Sequence, residues 1–319
     1  MTGKVSVVVP MRNAEAFVRA TLDSLLVERD VALEVIVVND GSTDRSAEVV
    51  ESVGDGRVRI IDGPCQGIAA ALNAGIAAAT GDVLMRCDSD DLFSPGRIAA
   101  QRRFLDEHPE YVAVCGRFET IDPSGSLIQQ MQIGDEPQEI TDELGRGETR
   151  THFGTFAIRM ELVRQLGGAR PYFIGTEDMD FQLRVGTAGR VWFEDRMCYG
   201  YRLHHASSTH TQPSPQREFL TEKAREFARQ RISTGTDDLE QGRAPDPPSH
   251  DAPAMDLAEQ MQGMLVSRSW QEVARGQWGR AIRTATQACR ARPMSFAGWV
   301  NLAKVCTIPA LRRAEVNRG

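Results

Sequence analysis

The feature that most constrains the fold of this chain is a regular alternation of strand-like and helix-like patterns over its first hundred residues. The segments 5–10, 34–40, 58–62 and 83–88 are short apolar runs typical of buried strands. Helical spacing separates them, beginning with an amphipathic segment at 13–28 whose expected N-cap is Asn13. This alternation predicts parallel strands joined by helices in an α/β sheet.

The pattern changes after about residue 110, where strand-like segments flank the polar turn at 122–125 and return in 190–205. These later segments predict antiparallel strands added to the sheet. We therefore expect a mixed, mainly parallel sheet flanked by helices.

Three regions are expected along the chain. Residues 1–233 form the α/β domain, 234–254 a linker rich in Pro, Gly and Asp, and 255–319 a C-terminal α-helical extension. An apolar stripe that includes Trp278 and Cys289 resembles the second helix of a tetratricopeptide repeat. A plain helical hairpin is the alternative.

Composition narrows the class of protein. A net charge of −7 over 319 residues argues against general nucleic-acid binding, which needs a basic surface. The six cysteines lie far apart without a C-x-x-C pair, so neither a zinc site nor a disulfide framework is expected. No segment approaches the ~20 apolar residues of a membrane span, and no signal peptide is recognised. These observations together predict a cytoplasmic protein.

The segment 268–319 departs from this acidic average, because it carries ten Lys and Arg against two acidic residues. An arginine-rich helical end of this kind predicts peripheral contact with the inner face of an anionic membrane, or with a protein partner. A solvated helix face is the alternative.

Chemistry is expected just after the strands, because ligands bind at the carboxyl ends of the strands in an open parallel sheet. Those positions hold Pro10, Asp40 and Asp88. Neither G-x-G-x-x-G nor G-x-x-x-x-G-K-[ST] occurs, which argues against a dinucleotide dehydrogenase and a P-loop NTPase. Asp40 can accept hydrogen bonds from a nucleotide base or ribose, or it can cap the following helix.

The segment DSDD crowds three carboxylates, Asp88, Asp90 and Asp91, behind the fourth strand. Like charges at this spacing repel unless a cation lies between them. Carboxylate oxygens suit Mg²⁺ and Mn²⁺, which complete their coordination with water and substrate phosphates. The segment therefore predicts a divalent metal beside a diphosphate, with a solvated turn that caps the helix at Ser94 as the alternative.

Five segments in series resemble the family 2 inverting glycosyltransferases with the GT-A fold: VSVVVPMRNAEAFV, EVIVVNDGSTDRS, GIAAALNAGIAAATGDVLMRCDSDD, GTEDMDFQLRV and YRLHHASSTH. The resemblance covers about residues 4–210. It implies transfer of a sugar from a nucleotide-diphosphate donor, UDP-linked, to a hydroxyl of a saccharide or lipid-linked acceptor.

The resemblance also implies which residues contact the nucleotide. Pro10, Asp40 and Asn73 match family positions near the nucleotide, and Asp40 matches the contact to its base. The family often has an aromatic residue in the first loop, where this chain has Arg12. Arg12 is therefore a candidate contact to the diphosphate, or the surface that stacks on the base differs.

Three acids and a histidine match the metal and sugar positions of the family. Asp88 matches the first acid of the D-x-D motif, near the ribose, sugar and metal, and Asp90 matches the ligand of Mn²⁺ or Mg²⁺. Asp91 matches the acid that faces the donor sugar. His204 matches a histidine that completes the metal or diphosphate site in some members, with His205 or a structural role as the alternative.

A second acidic pair, in TEDMD, matches the family's general base. Direct displacement at an anomeric carbon needs a group that removes the proton of the acceptor hydroxyl, and a carboxylate can serve. Asp178 matches that base, and Glu177 is the alternative. Both begin a helix, where acids are also favoured electrostatically.

Two other classes of protein compete with this interpretation. A sugar-nucleotide pyrophosphorylase needs a glycine-rich basic loop after the first strand, and PMRNAEAF has no glycine there. A non-catalytic binding module is expected to have lost its acids, which are all present. Acceptor recognition is expected from 116–175, which includes His152 and Thr155.

Overall fold

A computed structural model of the chain describes residues 3–131, 133–134, 136–204, 215–248 and 257–316. The chain forms two compact units. The first comprises Met1–Phe118, Met131–Tyr201 and Ser214–Ala252, and the second comprises Glu119–Gln130, Arg202–Pro213 and Pro253–Gly319.

Four parallel strands begin the sheet of the first unit. They are β1 (Val5–Met11), β2 (Leu33–Asn39), β3 (Val58–Asp62) and β4 (Val83–Arg86), in the spatial order β3-β2-β1-β4. In register, Val7 of β1 lies beside Val35 of β2 on one side and beside Met85 of β4 on the other. The predicted run of parallel strands is confirmed.

Antiparallel strands extend the sheet beyond β4. The order continues through β9 (Ala157–Arg159), β6 (Tyr111–Ile121), β10 (Arg190–Arg202) and β5 (Leu92–Phe93), while β8 (Gln138–Glu139) pairs with β10. β9 is antiparallel to β4, and β5 is antiparallel to β10. The sheet is therefore mixed, as the change of pattern after residue 110 predicted.

Helices cover both faces of this sheet. They are α1 (Val18–Leu26), α2 (Ser46–Glu51), α3 (Ile68–Ala78), α4 (Arg97–Glu107), α5 (Thr141–Gly145), α6 (Met160–Gln165), α7 (Glu177–Ala188) and α8 (Pro215–Thr234). Val8 of β1 faces one apolar core, while its neighbours Val7 and Val9 face the other. On the first face α3 approaches β1 so closely that a Cβ on Gly75 would lie 2.3 Å from Val8 Cγ1.

The first helix is shorter than predicted, because it begins at Val18 rather than Asn13. Asn13 adopts a φ of 52° and lies in the loop before α1. Its Oδ1 accepts a hydrogen bond from the backbone N–H of Thr43, 2.8 Å away. The side chain expected to cap a helix therefore joins the loop after β1 to the loop after β2.

Most of the segment predicted as a linker belongs to the first unit, and part of it packs against the core of that unit. Asp237 is fully buried, and its Oδ2 accepts hydrogen bonds from Arg170 Nη1 at 2.7 Å and Arg231 Nη1 at 2.5 Å. Leu239 and Ala244 pack against the core of the first unit. Composition alone overlooked this packing, because it depends on distant arginines.

The second unit contains the strand β7 (Leu127–Gln130) and the helices α9 (Leu257–Ala274), α10 (Trp278–Ala291) and α11 (Phe296–Val316). β7 pairs with the last residues of β6, and Arg268 Nη1 of α9 donates to the carbonyl oxygens of Leu127 and Ile128 at 2.7 and 2.6 Å. Most of the expected apolar stripe of α10 is buried, including Ala281, Ala285 and Cys289, whereas Trp278 is half-buried. Its resemblance to a tetratricopeptide repeat stays a prediction.

Across the described residues, the helices include none that combines the length and the apolar character required to cross a bilayer.

Candidate active site

The carboxyl end of β4 carries a buried arginine that contacts the first acid of the DSDD segment. Arg86 is the last residue of β4 and is buried. Its Nε donates to Asp88 Oδ1 at 2.7 Å, and its Nη2 donates to Asp88 Oδ2 at 3.2 Å. This bidentate contact fixes the orientation of the Asp88 carboxylate.

The same guanidinium reaches the start of α7, where the second acidic pair lies. Arg86 Nη1 donates to Glu177 Oε1 over 3.4 Å. Burial disfavours the charge of Arg86, but Asp88 and Glu177 outweigh burial and raise the pKa of the guanidinium above its usual value. Arg86 therefore connects the acid expected beside the donor with the acid pair expected beside the acceptor.

The two acids of that pair have different surroundings. Glu177 is buried, and its Oε2 has no hydrogen-bond partner among the described residues. Burial raises the pKa of Glu177 to about 7, and the neighbouring Asp178 adds to this rise while Arg86 opposes it. Asp178 is half-buried, and its Oδ1 accepts a hydrogen bond from the N–H of Met179 at 2.8 Å. Only Asp178 thus combines access to solvent with a position at the positive end of a helix.

The third acid of the DSDD segment is held by a tyrosine from β10. Asp91 is fully buried, and its Oδ2 accepts a hydrogen bond from the hydroxyl of Tyr199 at 2.7 Å. The same hydroxyl oxygen accepts from the backbone N–H of Asp88 at 3.1 Å. Burial raises the pKa of Tyr199, and Asp91 adds to the rise, so the phenol stays protonated and keeps donating. Tyr199 therefore ties the turn of 88–91 to the sheet.

The acids fit a divalent cation that takes few protein ligands. Asp90 and Asp88 are half-buried and offer the hard oxygen donors that Mg²⁺ and Mn²⁺ prefer. Both oxygens of Asp88 already bind Arg86, although a carboxylate keeps further lone pairs for a cation. Within the ranges that the structure describes, no group of three or more His, Cys, Asp and Glu is arranged to hold a metal. The donor set thus suits a cation that completes its coordination from water and phosphate.

A half-buried histidine, His152, lies close to the acids of both segments. His152 stacks on Tyr199 with ring centroids 5.1 Å apart, and its Nδ1 accepts a hydrogen bond from the N–H of Gly154 at 3.1 Å. Burial lowers the pKa of His152, against the opposing effect of Asp178 and Asp88. The imidazole is therefore neutral, with its proton assigned to Nε2 by the bond that Nδ1 accepts.

Asp40 and Asn73, expected beside the nucleotide, bind backbone groups of the protein itself. Asp40 Oδ1 accepts from the N–H of Cys65 at 2.6 Å, and Oδ2 accepts from the N–H of Gly67 at 3.0 Å. Asn73 exchanges two hydrogen bonds of 2.8 Å with the backbone of Ala169. Each side chain thus holds a loop in place. A hydrogen bond from a nucleotide to Asp40 would use the remaining lone pairs of its carboxylate. The nucleotide roles of Asp40 and Asn73 stay predictions.

The remaining expected site residues differ in position. Pro10 is buried in β1, opposite Val38 of β2, and Arg12 is exposed in the loop that follows. His204 is buried and belongs to the second unit, whereas the acids belong to the first. His205 lies outside the described residues. The roles expected of these residues stay predictions.

Two residues of this site were missed by sequence reasoning. Arg86 left a signal, since it is the only charged residue in an otherwise apolar strand, VLMR. Such a charge needs a buried partner. Tyr199 left none, because it meets Asp91 only through the pairing of β10 with its neighbours in the sheet.

The family model described as "Glycosyl transferase family 2" matches residues 6–167, about half of the chain. The chain belongs to glycosyl transferase family 2. The predicted membership of family 2 is thereby confirmed, and the matched residues include the first three of the five segments from Ser6 onward, the DSDD segment and His152.

Relatives of this family 2 chain include a chondroitin synthase from Pasteurella multocida (strain Pm70), which is 29% identical over 202 residues. That match covers 63% of this chain and 20% of the synthase. The uncharacterized glycosyltransferase EpsJ of Bacillus subtilis (strain 168) is 36% identical over 114 residues, which cover 35% of this chain and 33% of EpsJ. The matched segments thus span a third or less of both relatives.

Among solved structures, the crystal structure of S. aureus TarS 1-349 in complex with UDP-GlcNAc is similar to this family 2 chain. Its TM-score is 0.60 at 18% identity, and the match covers 90% of this chain and 81% of that one. At this identity the likeness shows the fold. The GT-A class expected from the sequence, with helices following the sheet, is confirmed.

Proposed function

We propose that this chain is an inverting glycosyltransferase that moves a sugar from a UDP-linked donor to a hydroxyl of a saccharide or lipid-linked acceptor. The observation that carries the proposal is the contact of Arg86 with both Asp88 and Glu177. Arg86 thereby joins Asp88, just after β4, to the acid pair Glu177 and Asp178 at the start of α7. Family membership, the similarity to a chondroitin synthase and the fold shared with TarS, solved with UDP-GlcNAc, support it.

Asp178 is the proposed general base. Its half-buried carboxylate can take the proton of the acceptor hydroxyl, whereas Glu177 is buried, bound by Arg86 and has a pKa raised to about 7. The acceptor oxygen forms a bond to the anomeric carbon as the bond to the nucleoside diphosphate breaks. The proton passes to Asp178, and the electron pair of the broken bond leaves with the diphosphate.

Asp90, with Asp88, is the proposed holder of Mn²⁺ or Mg²⁺. A divalent cation supplies positive charge that offsets the charge developing on the leaving diphosphate. Asp90 and Asp88 would hold such an ion, while Asp91, fixed by Tyr199, is proposed to face the sugar. Arg12, His204 and the nucleotide contacts of Pro10, Asp40 and Asn73 remain part of this proposal on the strength of the resemblance.

Replacing the proposed base is the direct test. Asp178→Asn keeps the shape of the side chain but removes its basicity, so transfer should fall by about 10²–10⁴-fold. Binding of UDP with Mn²⁺, measured by calorimetry, and the melting temperature should change little. Asp23→Asn, at an exposed position of α1, is the matched control and should retain full activity.

A screen of sugar nucleotides supplies the assay, because slow hydrolysis of the correct donor needs no known acceptor. Treatment with EDTA should abolish this hydrolysis, and Mn²⁺ or Mg²⁺ should restore it. Full transfer by Asp178→Asn with every donor and acceptor would exclude Asp178 as the base. Binding of nucleoside diphosphates without turnover by any variant would indicate the non-catalytic module instead.

A further inference from the structure

The second unit exposes a basic stripe on α10. Arg280, Arg283 and Arg290 are exposed and recur at helical spacing, whereas Ala281 and Ala285 on the opposite side are fully buried. The sequence has no Asp or Glu between Glu272 and Glu315, and it has eight Lys and Arg there. The stripe therefore lies in a stretch of the chain without acidic residues.

An apolar tip follows this stripe at the turn between α10 and α11. Met294 is 97% exposed and Phe296 is 83% exposed, and Trp299, one helical turn further along α11, is 53% exposed. Trp299 Nε1 donates to the carbonyl oxygen of Pro293 at 2.8 Å, which fixes the indole against the turn. These three residues, Met294, Phe296 and Trp299, are called the apolar tip below.

The tip is not the core-facing side of its helix. Val305 and Asn301 lie on the buried side of α11, where Val305 packs with Ala281 and Ala285, and Asn301 donates to Ser269 Oγ at 3.1 Å. The core of this unit is thus filled without the tip. Large apolar side chains with such exposure mark a surface that contacts something else.

We propose that the apolar tip and the basic stripe bind the surface of an anionic lipid bilayer. Protein partners favour anchors that fill pockets in a buried, closely fitted patch. Met294 and Phe296 instead project from a turn, as side chains that enter the headgroup region do. The exposed arginines of α10, in the same unit, complement anionic headgroups. This inference stands independently of the proposed transferase activity, because it rests on the second unit alone.

Co-sedimentation of the full chain with vesicles tests the proposal. The chain should pellet with vesicles of phosphatidylcholine and phosphatidylglycerol, pellet much less with phosphatidylcholine alone, and be released by salt. Met294→Ser with Phe296→Ser should weaken binding by about tenfold or more, because it removes the inserted apolar groups. The double variant alters only exposed side chains, so folding should be retained and can be confirmed by its melting temperature.

A matched control separates the apolar tip from exposed apolar groups in general. Val27 and Ile232 are 57% and 63% exposed in the first unit, and replacing both with Ser should leave vesicle binding unchanged. Equal losses in the two double variants would overturn the proposal. Failure of the wild-type chain to bind anionic vesicles would overturn it too, and capture of an acidic protein by the same surface would then identify the partner.

Trp299 offers a second, local measurement. Brominated phosphatidylcholine in anionic vesicles should quench tryptophan fluorescence, and Trp299→Phe should remove most of that quenching while the other tryptophans remain. Quenching that persists in Trp299→Phe would show that another surface meets the lipid and would reject the apolar tip as the site.

Discussion

Two groups of acids and arginines meet at α7, one through Glu177 and the other through Asp180, and their charges are balanced in opposite ways. Around Arg86, one guanidinium serves Asp88 and Glu177, with Asp178 next in the chain. Asp180 instead is bound by two arginines: Arg170 contacts both of its carboxylate oxygens, and Arg184 Nε donates to Oδ2 at 2.9 Å.

The second group also includes Asp237, which Arg170 and Arg231 bind. Arginines thus outnumber acids in the Asp180 group, and acids outnumber arginines in the Arg86 group, within the part of the chain that the structure describes. In the Asp180 group the arginines neutralise both acids, as expected of a group with a structural role. An excess of buried carboxylate charge leaves an acid that takes up a proton, as Glu177 does, or calls for a cation.

The largest expected effect is on the Asp180 group. Asp180→Asn removes the negative charge between Arg170 and Arg184, so the free energy of unfolding should fall by roughly 3–5 kcal/mol. Chemical denaturation measures this loss. Asp23→Asn breaks the exposed pair of Arg19 and Asp23 and should change the same quantity by less than about 1 kcal/mol. A stable but inactive Asp180→Asn protein would break the comparison, because Asp180 would then belong to the chemistry.

The next effect is the pH dependence of Glu177. The pKa of Glu177 is raised from 4.5 to about 7, so the folded state favours its protonated form. Ionisation of Glu177 therefore lowers the free energy of unfolding as the pH rises from about 4.5 to about 7. Below about pH 4.5 the carboxyl is protonated in both states, and nothing is lost. Glu177→Gln removes the cost, so its stability relative to wild type should increase by about 2–3 kcal/mol between pH 4.5 and pH 8.

Denaturation of Glu177→Gln and wild type at both pH values measures that difference. Glu51→Gln, at an exposed position at the end of α2, should show a difference from wild type that does not depend on pH. If Glu177→Gln behaves like Glu51→Gln, then Arg86 fully neutralises Glu177 and the two groups are balanced alike.

A smaller effect is expected when Arg86 keeps its charge but loses its shape. Arg86→Lys cannot bind both oxygens of Asp88 and also reach Glu177, so kcat should fall by about tenfold while the protein stays folded. The pH–rate profile should also shift, because Arg86 holds down the pKa of Glu177. Arg19→Lys, in an exposed pair, is the control and should be silent. Wild-type activity in Arg86→Lys would show that charge alone suffices.

The last expected effect, similar in size to that at Arg86, concerns the role of Asn73. Its two hydrogen bonds hold Ala169, the residue before Arg170, so Asn73→Ala should cost about 1–2 kcal/mol of stability. The KM for the donor should rise as well, because Asn73 is proposed to contact the nucleotide. Lowered stability with an unchanged donor KM would assign Asn73 a structural role alone.

Much of the first unit could be predicted from local patterns. Hydrophobic periodicity predicts the four parallel strands and the change to antiparallel pairing after them. The acids that follow β4 are adjacent in the chain and can be recognised directly. Asn13 was a weaker prediction, because its type is equally suited to a cap and to a loop with positive φ. The packing of Asp237 was not predicted from a stretch that reads as linker.

What the sequence by itself determined, then, is the order of the elements and the supply of carboxylates at one edge of the sheet. Only the tertiary structure decided how each carboxylate is paired. Asp88 and Glu177 share Arg86, and Asp91 accepts a hydrogen bond from the Tyr199 hydroxyl. Asp180 forms ion pairs with two arginines. The reason is physical. Strand and helix patterns depend on neighbours in the chain, whereas the ionisation of a buried acid depends on charges and donors brought to it from distant segments.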